Sequence, residues 1–203
     1  MSACTEGPTT FEDLERRLVD LKRHFNMELL KAKDLDDLSA TDMDFTRAYI
    51  ALCHAEFEGH LERWATNIID SALRQWKDYR KPTLPLIAMF AHFEHIETND
   101  TTATKIDQII VDFKKRIRAN NGIKSENLRK LFVPLGVDYE SIDPTWVIEL
   151  NQYSRHRGET VHTSAQIQQP IDVSSAMSTI DYVKEGIKEF ESLLIPLLPP
   201  SES

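Results

Sequence analysis

The sequence is poor in several residue types, and each shortage excludes a class of protein. Two cysteines, Cys4 and Cys53, cannot build the disulfide framework of a small secreted scaffold, so a reducing compartment is expected. Only 6 glycines in 203 residues leave little room for a turn-rich β-sandwich. The chain opens without a secretory hydrophobic region and contains no apolar run long enough to span a membrane. These absences predict a cytoplasmic protein without a membrane segment.

Positive charge is scarce as well. The chain has 24 Lys and Arg against 33 Asp and Glu, which gives a formal net charge of −9. Broad binding to nucleic acid requires a positive surface, so any nucleic-acid site must be local. Hydrophobic residues at 41% and charged residues at 28% are ordinary for a globular protein of this length. We expect a single helical domain over residues 1–203, with flexible tails at residues 1–8 and 199–203.

Apolar residues recur at steps of three and four along most of the chain, which is the period of amphipathic helices. A capping box from Thr9 to Glu12 is expected to open a first helix, whose apolar stripe continues to Leu29. A second pattern runs without proline from residue 41 to residue 77 or 79, and its Gly59 predicts the close approach of a neighbouring helix. Further helices are predicted at residues 86–96, 106–117, 125–132, 143–162 and from Asp172 or Ser174 to 194.

Signals for other architectures are missing from the sequence. We find no convincing alternating strand, no nucleotide-binding glycine motif and no internal repeat. The predicted fold is therefore all-α, an antiparallel helical bundle with additional short helices packed on one side.

The stretch from residue 151 to residue 163 gathers the chemistry of the chain. It places Arg155, His156, Arg157 and His162 within eight residues of an otherwise acidic sequence. Histidine exchanges a proton near neutral pH, and arginine offers a planar fork of donors that suits a phosphate. The combination favours phosphate-ester chemistry. The alternative is a solvated basic helix end, which the helix dipole also favours.

Two arginines compete for the pairing with His162. Arg155 precedes His162 by seven positions and lies nearly on the same helix face, whereas Arg157 precedes it by five and lies about 140° away. Arg157 needs a bend, which Gly158 permits, or the reach of its long side chain. Arg157 also falls on a core-like spacing with Leu150 and Val161, where a charge needs a partner or a purpose.

Histidines and carboxylates elsewhere suggest a metal site, but their spacing argues against one. The chain has no pair of Glu-x-x-His motifs, no cysteine cluster and no His-Glu-x-x-His pattern. We therefore expect no metal and no cofactor, and we expect these side chains to cap, pack or face solvent. The residues concerned are His54, Glu56, Glu58, His60, His92 and His95.

An Arg-x-x-x-x-His motif on a late helix, together with the long-helix sequence over residues 48–62, resembles the HEPN superfamily and its RiboL-PSP-like branch. The resemblance covers about residues 40–190. It implies a metal-independent endoribonuclease of the toxin–antitoxin or antiviral defence type, a homodimer in which two motifs share one cleft. Arg157 and His162 match the catalytic positions, and Arg155 and His156 are expected to bind RNA. The family favours Asn, Asp or His after the arginine, where this chain has Gly158; starting the motif at Arg155 restores that residue as His156.

The resemblance also implies a mechanism and partners. An RNA 2′-hydroxyl would attack the adjacent phosphate, with His162 as general acid or base and the arginine stabilising the added charge. Glu56 is a candidate for orienting the motif. The expected partners are an RNA substrate, a second copy of the chain and a cognate antitoxin protein. The alternative function is an inactive HEPN-like module that binds a protein partner, RNA or a nucleotide.

Overall fold

The structure of the chain, a computed structural model, describes residues 10–93, 101–162 and 171–199, and over residues 159–162 it describes the backbone alone. Within these ranges it contains eight α-helices, short 3-10 turns and no β-strand, which confirms the all-α prediction. No helix in the described ranges is long and apolar enough to cross a membrane. The expected tails lie outside the described residues except for Pro199. The helices are α1 Phe11–His24, α2 Met27–Lys31, α3 Ala40–Tyr79, α4 Leu84–His92, α5 Thr102–Arg118, α6 Ser125–Phe132, α7 Pro144–His162 and α8 Val173–Leu194.

Helix α3 is the element on which the others pack. Its first turn is capped by Ser39, whose hydroxyl accepts from the Asp42 amide at 3.2 Å, while the Asp42 carboxylate accepts from the Ser39 amide at 2.9 Å. Over 40 residues it contacts α1, α4, α5, α6, α7 and α8. Its buried side chains recur at steps of three and four, as an amphipathic helix surrounded by partners requires. They are Thr46, Tyr49, Ile50, Cys53, His54, Phe57, His60, Leu61, Ala65, Ile68, Ile69 and Ala72.

The N-terminal segment differs from its prediction in two ways. The capping box is formed by Thr10 and Asp13, one position later than expected, and Thr9 lies outside the described residues. The predicted single helix is broken at Asn26, whose φ of 51° is left-handed, so that α2 starts afresh after α1. The break rotates the following turn. Leu29 is therefore 65% exposed, and Met27 and Leu30 are buried in its place.

The later helices agree closely with their patterns. The apolar stripes predicted for α5, α6 and α8 are buried, and α7 begins at Pro144 with the Thr145 amide donating to the Asp143 carboxylate at 2.9 Å. Asp172, not Ser174, caps α8, because its carboxylate accepts from two amides of the first turn. Helix α4 ends at His92, and residues 94–96 of the helix predicted there lie outside the described ranges.

A close approach of helices occurs at Gly186 rather than at Gly59. A Cβ atom on Gly186 would lie 2.0 Å from the Trp146 ring, so α7 and α8 meet at a distance that only glycine allows. Trp146 Nε1 donates to the Val183 carbonyl at 3.2 Å, and its ring stacks on Phe190. The prediction for Gly59 was wrong, since the atom nearest a Cβ there belongs to Arg63 of the same helix.

Candidate functional site

Helix α7 carries the motif and is continuous through Gly158 to His162. A continuous helix keeps Arg155 and His162 nearly on one face and leaves Arg157 about 140° from His162. The side chains of Val161 and His162 lie outside the described residues. Because the helix is unbroken at Gly158, it does not bring Arg157 round to the face of His162.

Arg155 and His156 are exposed near the end of α7, where two clefts meet. A cleft of about 370 Å³ lies between α7, Ile50 of α3 and the start of α8, and both residues line it. A second cleft, of about 450 Å³, lies between α7 and the start of α6, and Arg155 lines this one too. Arg155 thus stands between two open spaces that could accept a ligand.

Arg157 faces the bundle instead. It is half-buried, and its Nε is buried without a hydrogen-bond partner. Within the described part of the chain it makes no ion pair. An unsatisfied buried donor costs roughly 1–3 kcal/mol, so the guanidinium retains unused capacity to bind an acceptor at some cost to stability. The core-like spacing of Arg157 with Leu150 is consistent with this inward orientation.

His54 of α3 is the buried neighbour of Arg157. Desolvation by burial, and after it the positive charges of Arg157 and Lys124, lower the pKa of His54 to about 4, so the imidazole is neutral at pH 7. Its ring lies 5.8 Å from that of Tyr153, whose hydroxyl donates to the Ile50 carbonyl at 2.9 Å. The distance of 3.9 Å from His54 Nδ1 to Glu58 Oε2 exceeds that of a hydrogen bond, and a neutral ring forms no ion pair.

Sequence reasoning did not associate His54 with the motif, although a signal was available. His54 shares the apolar face of α3 with Ile50, Phe57 and Leu61, all of them buried. A histidine on a buried face must lie against another element, but the sequence does not say which one. Only the packing of α7 on α3 identifies Arg157 as its neighbour.

Glu56 is not placed to orient the motif. Arg17 of α1 donates to the Glu56 carboxylate at 2.8 Å, so this side chain faces α1. Two later carboxylates of α3, Glu58 and Glu62, accept hydrogen bonds from the loop between α5 and α6. Glu58 accepts from the Gly122 amide, and Glu62 accepts from the Asn120 side chain at 2.9 Å. Both anchor the loop between α5 and α6, which we call the anchored loop (residues 119–124).

The remaining histidines and acids of the candidate metal set have other contacts. Buried His60 lies 2.5 Å from the Glu191 carboxylate, which also accepts from Trp64 Nε1 at 3.0 Å, and this pair joins α3 to α8. His92 packs against the Phe93 ring, and His95 lies outside the described ranges. Among the described residues, no three His, Cys, Asp or Glu side chains are grouped to hold a metal ion.

An all-α bundle around one long helix, with the Arg/His cluster on a late helix, defines a HEPN-type module. The comparison with protein families agrees with this assignment: the model for RiboL-PSP-HEPN matches residues 12–195. The chain therefore belongs to the RiboL-PSP-HEPN family. Comparisons with curated proteins and with solved structures found no match.

Proposed function

We propose that this HEPN-type protein is a metal-independent endoribonuclease whose site lies at the end of α7. The observation that carries the proposal is the half-buried Arg157, with its unpaired Nε, beside exposed Arg155 and His156 in a chain of net charge −9. Cations concentrated at one place in an acidic protein suit a local anionic ligand. RNA supplies both the anionic phosphate and the 2′-hydroxyl that the reaction needs.

The proposed reaction is an internal transesterification. The 2′-oxygen attacks the adjacent phosphorus as its proton leaves to a base, and the bond from phosphorus to the 5′-oxygen breaks as that oxygen gains a proton. The products are a 2′,3′-cyclic phosphate and a free 5′-hydroxyl. We assign proton transfer to His162 and stabilisation of the developing phosphate charge to Arg157, with Arg155 and His156 binding the RNA.

The assignment of the motif arginine rests on two opposed geometric arguments. Helix continuity favours Arg155, because it shares a face with His162. The inward position of Arg157 favours Arg157, because a half-buried cation without a partner in the described chain is costly to keep unless it binds something. We retain Arg157 as catalytic and propose that its long side chain, or a second protomer, completes the pairing.

We propose that the protein is a homodimer in which two motifs come together. Ile148 of α7 is 55% exposed and stands seven positions before Arg155 on the same helix face. Leu52 and Phe45 of α3 are also exposed. We propose that such apolar positions contact a second copy, so that two sets of Arg155, Arg157 and His162 form one positive cleft. A cytoplasmic toxin or antiviral role with a cognate antitoxin is part of the same proposal.

The test is cleavage of single-stranded RNA in the presence of a chelator. Wild-type protein should leave 2′,3′-cyclic phosphate ends, and His162→Ala should lower the rate by about 10² or more. His24→Ala, a change of an exposed histidine on α1, is the matched control and should cleave like wild type. Activity that is lost in chelator and restored by magnesium or manganese would contradict the proposal.

The arginines are tested in the same assay. Arg157→Ala should lower both binding and turnover, and Arg157→Lys should restore them only in part, because an ammonium lacks the planar fork. If Arg155→Ala abolishes cleavage while Arg157→Ala only lowers the free energy of unfolding, Arg155 is the motif arginine and our assignment is wrong.

A second candidate function is a binding module without catalysis. Gly158 favours it, because the family pattern places a polar residue directly after the motif arginine and Gly158 has no side chain to offer. Well-folded wild-type protein that binds RNA without cleaving it would support this candidate and reject the nuclease.

A further inference from the structure

The cleft between α6 and α7 is lined by cations on two sides. Lys124, at the end of the anchored loop, lines one wall, and Arg155 of α7 lines the other. Lys124 is exposed and makes no ion pair with any described residue. The cleft of about 450 Å³ also presents the polar side chains of Asn151 and Gln152, and Glu126 is its one acidic lining residue among those described. A volume of this size is typical of sites for small ligands or single nucleotides.

The backbone that carries Lys124 is held in place by half-buried hydrogen bonds. Asn120 Nδ2 donates to Glu62 Oε1 at 2.9 Å and to the Gly122 carbonyl at 3.0 Å, and Gly122 has a φ of 117°, which favours glycine. The Gly122 amide donates to the Glu58 carboxylate. These contacts tie the anchored loop to α3.

Two further hydrogen bonds fix the same segment against its neighbours. Asn127 Nδ2 of α6 donates to Asn120 Oδ1 at 2.9 Å, and the Ser125 amide donates to Asn151 Oδ1 of α7 at 2.9 Å. The residue after Lys124 is thus bonded directly to the helix that carries Arg155. A site whose walls are held in this way binds its ligand with a smaller cost of ordering.

Lys124 also lies close to the proposed reaction site. Its charge and that of Arg157 both contribute to the lowered pKa of buried His54, so both cations lie within electrostatic range of the same imidazole. Arg155 in turn lines this cleft and the cleft beside α8. Arg155 is therefore common to this cleft and to the proposed RNA-binding residues at the end of α7.

We infer that this cleft is a second phosphate subsite, in which Lys124 and Arg155 bind the phosphate of a nucleotide neighbouring the scissile one on the same RNA strand. The inference rests on the proposed function, since it names a further part of the substrate. Lys124 acts as a binding residue and takes no part in proton transfer. Glu126 faces the same phosphate with the opposite sign and weakens its binding.

The first measurement is binding of a single-stranded RNA oligonucleotide at several salt concentrations. The slope of log affinity against log salt is negative, and for Lys124→Ala its magnitude should fall by about 0.7, the value for one phosphate contact on a single strand. Lys130→Ala removes the same charge from an exposed position of α6 that does not line the cleft, and it should keep the wild-type slope. Lys124→Arg should restore the slope, which a loss of folding would not allow.

The second measurement uses variants and substrates with opposite expected effects. Glu126→Gln should tighten binding, because it removes the carboxylate from the cleft while keeping its shape. In cleavage assays Lys124→Ala should raise KM more than it lowers kcat. The loss should be larger on an oligonucleotide than on a dinucleoside monophosphate, which carries a single phosphate.

The outcomes separate this inference from the proposed function. Wild-type cleavage with equal salt slopes for Lys124→Ala and Lys130→Ala would overturn the subsite and keep the nuclease. Binding that depends on Lys124 without any cleavage would keep the subsite and overturn the nuclease. A wild-type protein that neither binds nor cleaves RNA would overturn both.

Discussion

At the scale of single residues, His54 shows how burial sets the chemistry of this site. A histidine with an ordinary pKa would add a partial charge beside Arg157 at neutral pH, and burial prevents this. The neutral ring leaves the positive charge of the site to Arg157, Arg155 and Lys124. His54 and Lys124 could not be assigned to the site from the sequence, because their proximity to Arg157 depends on how α3 and the anchored loop pack against α7.

The lowered pKa of His54 predicts a dependence of stability on pH. The pKa falls from 6.5 to about 4 in the folded state, so the unfolded chain binds the extra proton between these values. The contribution of His54 is fully present above pH 6.5 and is lost as the pH falls towards 4, by roughly 3 kcal/mol. The measurement is the free energy of unfolding of wild type and of His54→Gln, obtained with denaturant at several pH values in this range. The free energy of wild type should fall more steeply as the pH is lowered. Parallel curves, or an NMR midpoint for His54 near 6.5, would contradict the prediction.

At the scale of helices, the sequence predicted the buried faces best where an apolar stripe lies on one uninterrupted helix. The stripes of α5 and α8 lie on single uninterrupted helices, so their spacing alone identifies the buried faces. The stripe from Phe11 to Leu29 failed because Asn26 adopts a left-handed conformation that the spacing of apolar residues does not reveal. Gly59 and Gly186 both lie inside long helices and look alike in sequence, and only the approach of Trp146 distinguishes them.

The contact of α7 with α8 predicts opposite effects for two glycine substitutions. Gly186→Ala places a methyl group 2.0 Å from the Trp146 ring, which is held by its hydrogen bond and by Phe190, so the free energy of unfolding should fall by about 2 kcal/mol. A Cβ atom on Gly158 would meet no described atom within 4 Å. Gly158→Ala should therefore raise the free energy of unfolding by up to about 1 kcal/mol through helix propensity. Urea denaturation at one protein concentration measures both. Equal effects of the two substitutions would show that the close approach is not maintained in solution.

At the scale of the whole molecule, helices from both ends of the chain pack on α3. Contacts of α1 and α8 with α3 support the single domain expected over residues 1–203, which stays a prediction. The core of this unit leaves large apolar side chains exposed on several helices. Ile87 of α4 and Ile148 of α7 are equally exposed, and the motif lies on α7 alone. A dimer formed through α7 would bring two motifs together, whereas a dimer formed through α4 has no such consequence for catalysis.

The proposed dimer predicts different effects for two matched isoleucine substitutions. Ile148 of α7 and Ile87 of α4 are both 55% exposed, so Ile148→Glu and Ile87→Glu change charge and apolar area alike. Wild type should be dimeric at micromolar concentration by light scattering. Ile148→Glu should shift it to monomer, because a charge buried in an apolar interface is strongly disfavoured. Ile148 also lines the cleft of Lys124 and Arg155, so the new carboxylate would repel RNA in a monomer as well, and light scattering decides the prediction. Ile87→Glu should remain dimeric and active. A wild-type protein that is strictly monomeric and cleaves RNA fully would show that one copy of Arg155, Arg157 and His162 is sufficient.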